Sequence, residues 1–294
     1  MIIMEVLHIM TNNIIQEAEN KYKNKIGEIA QTVINNRDIR LILIAGPSCS
    51  GKTTTSATLS KYVYERAGIK THTISIDDFY KDVVFAPGET FADKDFEALD
   101  SIDLDLLHEC LKNLALGKTV DIPLFDFEKT YRNGIRSTIT LGKNDIAIIE
   151  GLHALNPEIY ENFVEKSKIL RVFLDCHDGD DGNKFERFIR RLVRDRNFRN
   201  ADANLTFTLW SKVIAGEEKY IYPFAECADF KINTFHEYET GVLKPFAEKL
   251  LSEVHQDSVF FNDAKEVYAY LATQKEILPT EIVPNDSLLK EFVG

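Results

Sequence analysis

Residues 46–53 read Gly46-Pro47-Ser48-Cys49-Ser50-Gly51-Lys52-Thr53 and fit the phosphate-loop pattern G-x-x-x-x-G-K-[ST] at every required position. The apolar run 41–45 precedes this stretch, and a helix-compatible segment, 54–67, follows it. A phosphate loop requires this strand–loop–helix context, whereas a turn that only joins a strand to a helix does not need the full pattern. Because backbone N–H groups and the helix dipole attract polyphosphates, the stretch predicts a nucleotide-binding site.

The pattern also assigns roles within the loop. Lys52 is expected to reach the β- and γ-phosphates, and the Thr53 hydroxyl is expected to hold Mg²⁺. ATP and Mg²⁺ are therefore the predicted cofactors. The remaining predicted nucleotide contacts come from the loop and the residue that follows it: Gly46, Ser48, Cys49, Ser50, Gly51 and Thr54.

The composition is that of an ordinary globular protein: 294 residues, 44% hydrophobic and 28% charged. Binding to nucleic acid through the overall charge of a protein needs a positive surface. The net charge of -12 therefore argues against nucleic acid as a partner. Four widely spaced cysteines form no C-x-x-C pair and suggest neither a metal framework nor a disulfide scaffold. No stretch has the length of a membrane span, and residues 1–10 lack the basic start of a secretory signal. We therefore expect a cytoplasmic protein without a membrane partner.

From residue 41 onward, apolar segments alternate with helical ones. Strands are predicted at 41–45, 73–76, 146–149, 170–174 and 230–232, and helices at 52–67, 104–115, 185–194, 205–218 and 242–254. Strands without polar interruption indicate a parallel sheet buried on both faces, and the β–α alternation predicts a doubly wound α/β fold with flanking helices. Ligands of such folds bind at the carboxyl ends of the strands.

Two flanking regions complete the predicted organisation. Residues 11–38 have apolar residues at helical spacing and predict an amphipathic helix, continuous or broken, and 263–273 predicts another helix before an extended tail. We divide the chain into a helical extension over 1–38, a phosphate-loop domain over 39–256 and a helical tail over 257–294. The tail shows no recognisable chemistry and is expected to serve packing or an interface.

Acidic residues follow two of the predicted strands. Asp77 and Asp78 come directly after 73–76, where a carboxylate could orient and deprotonate an acceptor hydroxyl, or where the pair could cap the next turn. Glu150 ends the strand at 146–149. A carboxylate that serves Mg²⁺ stands at this place in phosphate-loop proteins, although an acid at the edge of a strand gives the same pattern.

One short segment concentrates positive charge in this acidic chain. Seven cations lie within sixteen residues: Lys184, Arg187, Arg190, Arg191, Arg194, Arg196 and Arg199. Helical spacing places Arg187, Arg191 and Arg194 on one face. Because guanidinium groups bind phosphate oxygens in bidentate fashion, the segment predicts a phosphate site, with a solvated helix face as the alternative.

Together these segments resemble the uridine kinase and phosphoribulokinase family of phosphate-loop kinases. The resemblance runs from about residue 39 to the end of the sequence. It is carried by the phosphate loop and by the segments 75–80 (SIDDFY), 96–103 (FEALDSID), 123–127 (PLFDF), 149–157 (IEGLHALNP) and 190–195 (RRLVRD). The segment 216–219 (GEEK) and the terminus 282–294 are similar to those of a subgroup of uridine kinase-like nucleoside kinases. The resemblance implies a P-loop NTPase fold of the NMP-kinase-like type, with an arginine-rich lid.

By position, the resemblance implies roles for residues on the acceptor side. Asp77 stands where the family has the general base for the nucleoside 5′-hydroxyl, and Glu97 stands where uridine kinases have a ribose-binding Asp. Phe125 and Phe127 stand at base-stacking positions, with Tyr80 as a further substrate contact.

The resemblance also assigns the charged groups around the phosphates. Arg191 and Arg194 stand among arginines that contact both substrate and phosphates, and Arg199 stands in the lid. The implied catalytic residues are Lys52, Asp77 and Arg194, and the implied metal-binding residues are Thr53 and Glu150.

The implied activity is ATP- and Mg²⁺-dependent phosphorylation of a small-molecule nucleoside, uridine or cytidine first, in pyrimidine salvage. Two departures leave the base preference open: Glu97 is longer than the usual Asp, and Thr130 stands where uridine kinases have a pyrimidine-reading His. The alternatives are a kinase for another small-molecule alcohol, such as a sugar phosphate or a vitamin precursor, and a nucleotide-binding regulatory module with little turnover. The sequence has no [NT]-K-x-D guanine motif, which argues against a GTPase-type switch. The oligomeric state stays open, with a homo-oligomer among the alternatives.

Overall fold

The computed structural model describes residues 2–90, 93–127, 129–161, 165, 168–177, 185–275 and 283–294, with side chains from residue 12 onward. The described strands are, in chain order, β1 (Leu41–Ala45), β2 (Thr71–Ser75), β3 (Thr119–Asp126), β4 (Tyr131–Thr140), β5 (Ile146–Glu150), β6 (Ile169–Asp175) and β7 (Phe230–Asn233). Five of them form a parallel sheet in the order β2-β5-β1-β6-β7, and β3 and β4 form a separate antiparallel hairpin.

Helices cover the sheet and connect its strands. They are α1 (Ile2–Asn35), α2 (Lys52–Ala67), α3 (Leu104–Ala115), α4 (Pro157–Tyr160), α5 (Phe185–Arg199), α6 (Ala203–Tyr220), α7 (Glu239–Ser252), α8 (Phe261–Thr273) and α9 (Lys290–Val293). All five predicted strands and every predicted helix between 52 and 273 are present, with boundaries that differ by a few residues. Among the described helices, none combines the length and the hydropathy that a membrane-spanning helix needs.

The central strand β1 shows why the sheet is doubly wound. Its five residues are buried on both faces, between β5 on one side and β6 on the other. Ile42 and Ile44 join one hydrophobic cluster with α1, α2, α5 and α7, whereas Leu41 and Leu43 join a second cluster with α3 and the hairpin. This arrangement confirms the predicted α/β fold with a parallel sheet covered on both faces.

The β3–β4 hairpin was not among the predicted elements. Val120 and Ile122 alternate with polar neighbours in β3, but Pro123 interrupts the pattern and coincides with a shift in the pairing register. Most of β4 is partly or fully exposed, including Tyr131 and Ile135, so its apolar periodicity is weak. The hairpin contributes Phe125 to the wall of the functional cleft.

Both flanking regions join the main hydrophobic cluster. The first helix runs unbroken over 34 residues and buries Ile26, Ile29 and Val33 completely. At the other end, Leu288 and Phe292 are also completely buried in the same cluster. The two ends therefore pack against the sheet that carries the phosphate loop.

Candidate active site

A cleft of about 920 Å³ lies where β1, β2 and β5 end, which is the edge predicted for ligand binding. Its volume falls near the top of the usual range for small-molecule sites. The lining combines the phosphate loop, the segments 94–97 and 124–127, and residues of α5 and α6. From the predicted site set, the lining includes Ser48, Cys49, Gly51, Lys52, Thr53, Asp77, Tyr80, Glu97, Phe125, Phe127, Glu150, Arg191, Arg194 and Arg199.

The phosphate loop has the backbone conformation that its glycine pattern predicts. Gly51, directly before α2, has φ +82°, and a Cβ there would lie 2.3 Å from Leu288 Cδ1. The ammonium of Lys52 donates to the carbonyls of Gly46 at 3.0 Å and Pro47 at 3.1 Å. The lysine is thus held beside the loop whose backbone amides would cradle phosphates.

Thr53 and Glu150 lie together, as expected for a magnesium site. The Thr53 hydroxyl donates to Glu150 Oε1 at 3.4 Å. Burial, followed by the charge of Asp77, raises the pKa of Glu150 to about 7. A divalent cation would offset both effects, so the donor set fits Mg²⁺, which takes one or two protein carboxylates with phosphate oxygens and water. The described residues form no cluster of three or more His, Cys, Asp or Glu ligands, and Mg²⁺ held in this way does not need one.

The structure separates the two neighbouring aspartates. Asp77 lines the cleft. Asp78 is buried and accepts hydrogen bonds from Arg136, Nη2 at 2.9 Å and Nε at 3.1 Å, and from the Phe125 N–H at 3.4 Å. Asp78 therefore ties the end of β2 to the hairpin, and Asp77 is the member of the pair that a substrate can meet.

Two arginines of α5, which we call the rear pair, hold the phosphate loop from behind. Arg187 donates to Glu217 Oε1 at 2.7 Å, and that carboxylate oxygen accepts the Ser48 N–H at 2.9 Å. Arg190 donates to the Cys49 carbonyl at 3.0 Å and pairs with Glu239 at 2.6 Å. The predicted phosphate-facing role of Arg187 is therefore corrected. Its side chain is only 2% exposed and satisfies Glu217 and the loop backbone instead.

Three further arginines, the front group, line the cleft and share one carboxylate. Asp195 lies 3.2 Å from Arg191 Nε, 2.6 Å from Arg194 Nη2 and 3.9 Å from Arg199 Nε. The charge of Arg194, together with burial, lowers the pKa of Arg199 to about 10. Positive charge is thus in excess here, as a site for phosphate oxygens requires.

Aromatic rings and one carboxylate form the opposite wall of the cleft. The centroids of Phe125 and Phe127 are 5.1 Å apart, and that of Tyr80 lies 5.4 Å from Phe125 and 5.7 Å from Phe127. Burial raises the pKa of Glu97 to about 7, against the opposing charge of Arg191. Glu97 Oε2 is buried without a hydrogen-bond partner among the described residues, so a ligand hydroxyl would satisfy it.

Not every predicted residue reaches the cleft. Thr130 lies in the turn between β3 and β4 with φ +62°, its N–H donates to Asp126 O at 2.7 Å, and it is outside the lining formed by the described residues. Ser50 is completely buried, and its carbonyl accepts from Thr234 Oγ1 at 2.9 Å. Gly46 and Thr54 are also outside that lining. The Gly46 carbonyl accepts a hydrogen bond from Lys52, and the Thr54 hydroxyl donates one to Glu291 in the tail.

Two parts of the site were missed at the sequence level. Leu205, Leu209 and Val213 line the cleft from α6, and their spacing of four residues was a usable signal. Glu291 also lines the cleft and accepts a hydrogen bond from Thr54 Oγ1 at 2.7 Å. The tail was expected to lack chemistry, and no local pattern around Glu291 indicates its place beside the loop.

Several known proteins are similar to this chain. The profile of the Phosphoribulokinase / Uridine kinase family matches residues 41–241. A uridine kinase of Borreliella burgdorferi (strain ZS7) is 31% identical over 199 residues, which span 66% of this chain and 85% of that protein. A uridine kinase of Staphylococcus aureus (strain JH9) is 29% identical over 196 residues, 65% of this chain and 86% of that protein. A solved structure described as a possible uridine kinase from Bacillus stearothermophilus aligns with a TM-score of 0.49 and 21% identity, over 72% of this chain and 100% of that one.

Proposed function

The chain belongs to the phosphoribulokinase/uridine kinase family, and from this premise we propose that it transfers the γ-phosphoryl group of ATP to the 5′-hydroxyl of a nucleoside. Uridine and cytidine are the first candidates. One observation carries the proposal: a single lining contains the phosphate loop, the Asp77 carboxylate, and an aromatic wall with Glu97 beside it. A phosphoryl donor and a flat acceptor that bears hydroxyl groups find complementary surfaces there.

On the donor side, the chain supplies charge where the phosphoryl group would carry it. Lys52 would exchange its contacts with the loop carbonyls for the β- and γ-phosphate oxygens. Thr53 and Glu150 would hold Mg²⁺, which neutralises charge on these oxygens when bound. The front group would stabilise the oxygens of the transferring group, because its positive charge exceeds that of Asp195.

On the acceptor side, the chain orients a hydroxyl and accepts its proton. Asp77 would take that proton, since Asp78 is occupied by Arg136. Glu97 would accept hydrogen bonds from ribose hydroxyls, and Phe125 and Phe127 would contact the base. Hydrogen bonds from those hydroxyls would favour the charged form of Glu97, which burial alone disfavours.

The test is whether a nucleoside stimulates ADP formation by the purified chain. We expect uridine or cytidine to raise the rate well above the rate with ATP and Mg²⁺ alone, in a panel that includes purine nucleosides, sugar phosphates and vitamin precursors. Stimulation by a different alcohol would replace the nucleoside assignment. No stimulation by any acceptor would favour a regulatory nucleotide-binding module. A pyrimidine preference would support a role in cytoplasmic pyrimidine salvage.

A further inference from the structure

The last turns of α6 lie between the acceptor wall and the phosphate loop. At Gly216 the helix backbone approaches Glu97 so closely that a Cβ on residue 216 would lie 2.3 Å from Glu97 Cβ and 2.8 Å from its Cγ. Glycine inside a helix costs about 0.5–1 kcal/mol relative to alanine. The close approach gives a physical reason for glycine at this position: a larger residue would displace Glu97.

The next residue, Glu217, contacts the phosphate loop. Its side chain is completely buried, and its Oε1 accepts hydrogen bonds from the Ser48 N–H at 2.9 Å and from Arg187 Nη1 at 2.7 Å. Arg187 Nη1 also lies 3.4 Å from the Ser48 carbonyl, and Arg191 Nη1 donates to the Ser48 hydroxyl at 2.9 Å. Ser48 is thus held on its N–H, its carbonyl and its hydroxyl, and Glu217 anchors the first of these contacts.

We propose that Gly216 and Glu217 are positioning residues that set the separation between the bound acceptor and the phosphate loop. The inference rests on the proposed kinase function and deepens it. Two consecutive residues of one helix contact Glu97 on one side and Ser48 on the other, so this part of the helix holds the two groups at a fixed separation. Neither residue lines the cleft within the described part of the chain, and each acts through the neighbour that it holds.

The separation matters because phosphoryl transfer needs the reacting atoms about 3–3.5 Å apart and in line. A misplacement of about 1 Å by a residue remote from the chemistry can cost about 10²-fold in rate. The clash of 2.3 Å at residue 216 must be relieved by a movement of this order, because the atom it meets is next to the backbone of Glu97.

The first test is Gly216→Ala. We expect kcat/KM for the acceptor to fall by about 10²-fold, while the dissociation constant for ATP with Mg²⁺, measured by calorimetry, changes little. The matched control is Gly27→Ala in α1, where a Cβ would lie 3.5 Å from the guanidinium tip of Arg66, an ordinary van der Waals distance. Both variants gain helix propensity, so only the contact with Glu97 distinguishes them. Wild-type kcat/KM in a folded Gly216→Ala protein would overturn the proposal.

The second test is Glu217→Gln, which keeps the shape of the side chain and removes its charge. We expect weaker ATP binding and a smaller change in the acceptor KM, because an amide oxygen accepts the Ser48 N–H and pairs with Arg187 less strongly than a carboxylate does. The exposed neighbour variant Glu218→Gln is the control. If Glu217→Gln does not fold because Arg187 loses its buried partner, Glu217→Asp withdraws the carboxylate by one methylene and keeps the charge. ATP affinity equal to that of wild type in the folded variant would contradict this role.

A double-mutant cycle separates positioning from a general structural effect. If Gly216→Ala acts through Glu97, it should add less than about twofold to the loss caused by Glu97→Gly, which removes both the carboxylate and the Cβ that a residue 216 side chain would meet. Additive losses would show that residue 216 does not act through Glu97 and would overturn that part of the proposal. The cycle uses whichever acceptor stimulates wild-type ADP formation. Its result can therefore be interpreted even if that acceptor is not a nucleoside. If no acceptor stimulates, both the kinase function and the positioning role fail, whereas an active wild type with an unaffected Gly216→Ala protein refutes only the latter.

Discussion

The rear pair and the front group lie on the same helix and differ in how their charge is balanced. In the rear pair, Arg187 and Arg190 each meet a different buried carboxylate, Glu217 and Glu239. In the front group, three guanidinium groups share Asp195. The first arrangement is electrically complete and serves the backbone of the phosphate loop, whereas the second has surplus charge for a ligand. All five side chains are arginines, so residue type does not distinguish the two roles. The number of arginines per carboxylate does distinguish them.

The same division separates Asp77, which faces the cleft, from Asp78, which pairs with Arg136. We expect Asp77→Asn to lower kcat by about 10²–10⁴-fold, because an amide can orient a hydroxyl but cannot accept its proton. Asp78→Asn should lower stability more than kcat. Steady-state kinetics and urea unfolding on both variants measure the contrast. A larger loss of kcat in Asp78→Asn would reverse the assignment of the base.

Breaking the rear pair should cost stability. Arg190→Ala leaves Glu239 buried without its cation, and we expect the free energy of unfolding to fall by about 3–5 kcal/mol. Urea denaturation measures the change, with Arg196→Ala as the control because Arg196 is 43% exposed in the same helix. The double variant Arg190→Met/Glu239→Leu should recover much of the loss. A loss in Arg190→Ala as small as that in Arg196→Ala would contradict the structural role.

Removing a member of the front group should instead cost activity. For Arg194→Ala we expect kcat/KM for ATP to fall by about 10²–10³-fold, the usual cost of one electrostatic contact to a transition state. The free energy of unfolding should fall less than in Arg190→Ala, because Asp195 keeps its ion pair with Arg191. A folded Arg194→Ala protein with unchanged kinetics but much reduced stability would place Arg194 with the rear pair.

Like the front group, the carboxyl group of Glu97 lines the cleft, and its Oε2 has no hydrogen-bond partner among the described residues. Burial raises the pKa of Glu97 from 4.5 to about 7. A raised folded-state pKa makes the neutral form the stable one, so this contribution is complete below pH 4.5 and is lost as the pH rises through about 7. We expect the unliganded wild type to lose more free energy of unfolding between pH 5 and 8 than Glu97→Gln does, by at most about 3 kcal/mol. Denaturant titrations at both pH values measure the difference. Parallel pH profiles would show that Glu97 is solvated and ionised throughout.

The core of the fold and the phosphate loop could be predicted because both depend on local sequence. The strands around Ile42 and Ile148 are continuous apolar runs, and the loop pattern includes its own backbone requirement at Gly51. The hairpin escaped prediction because Pro123 and the exposed face of β4 blur the two-residue period. Its importance for the cleft comes from tertiary packing of Phe125, which no local pattern expresses.

The sequence predicted which residue types form the site. It did not predict which of the charged side chains face the cleft and which pair with buried partners. Helical spacing placed Arg187 with Arg191 and Arg194, although Glu217, thirty residues further along the chain, turns Arg187 toward the loop backbone. Likewise, the choice between Asp77 and Asp78 depended on Arg136, at a separation of 58 residues. Long-range partners decide which charged side chains remain available, and a single sequence does not show these partners.

Residues 288–292 of the tail contact the phosphate loop, the start of α2 and the rear pair. Leu288 packs where a Cβ of Gly51 would lie, Glu291 accepts a hydrogen bond from Thr54, and the ring of Phe292 lies 5.1 Å from the Arg190 guanidinium carbon. The loop therefore cannot open without disturbing residues more than two hundred positions away. Amide hydrogen exchange across 287–293 should slow when ATP and Mg²⁺ occupy the loop, because local opening is then suppressed. Residues 287–293 would thus report nucleotide occupancy of the loop through their deuterium uptake, measured by mass spectrometry.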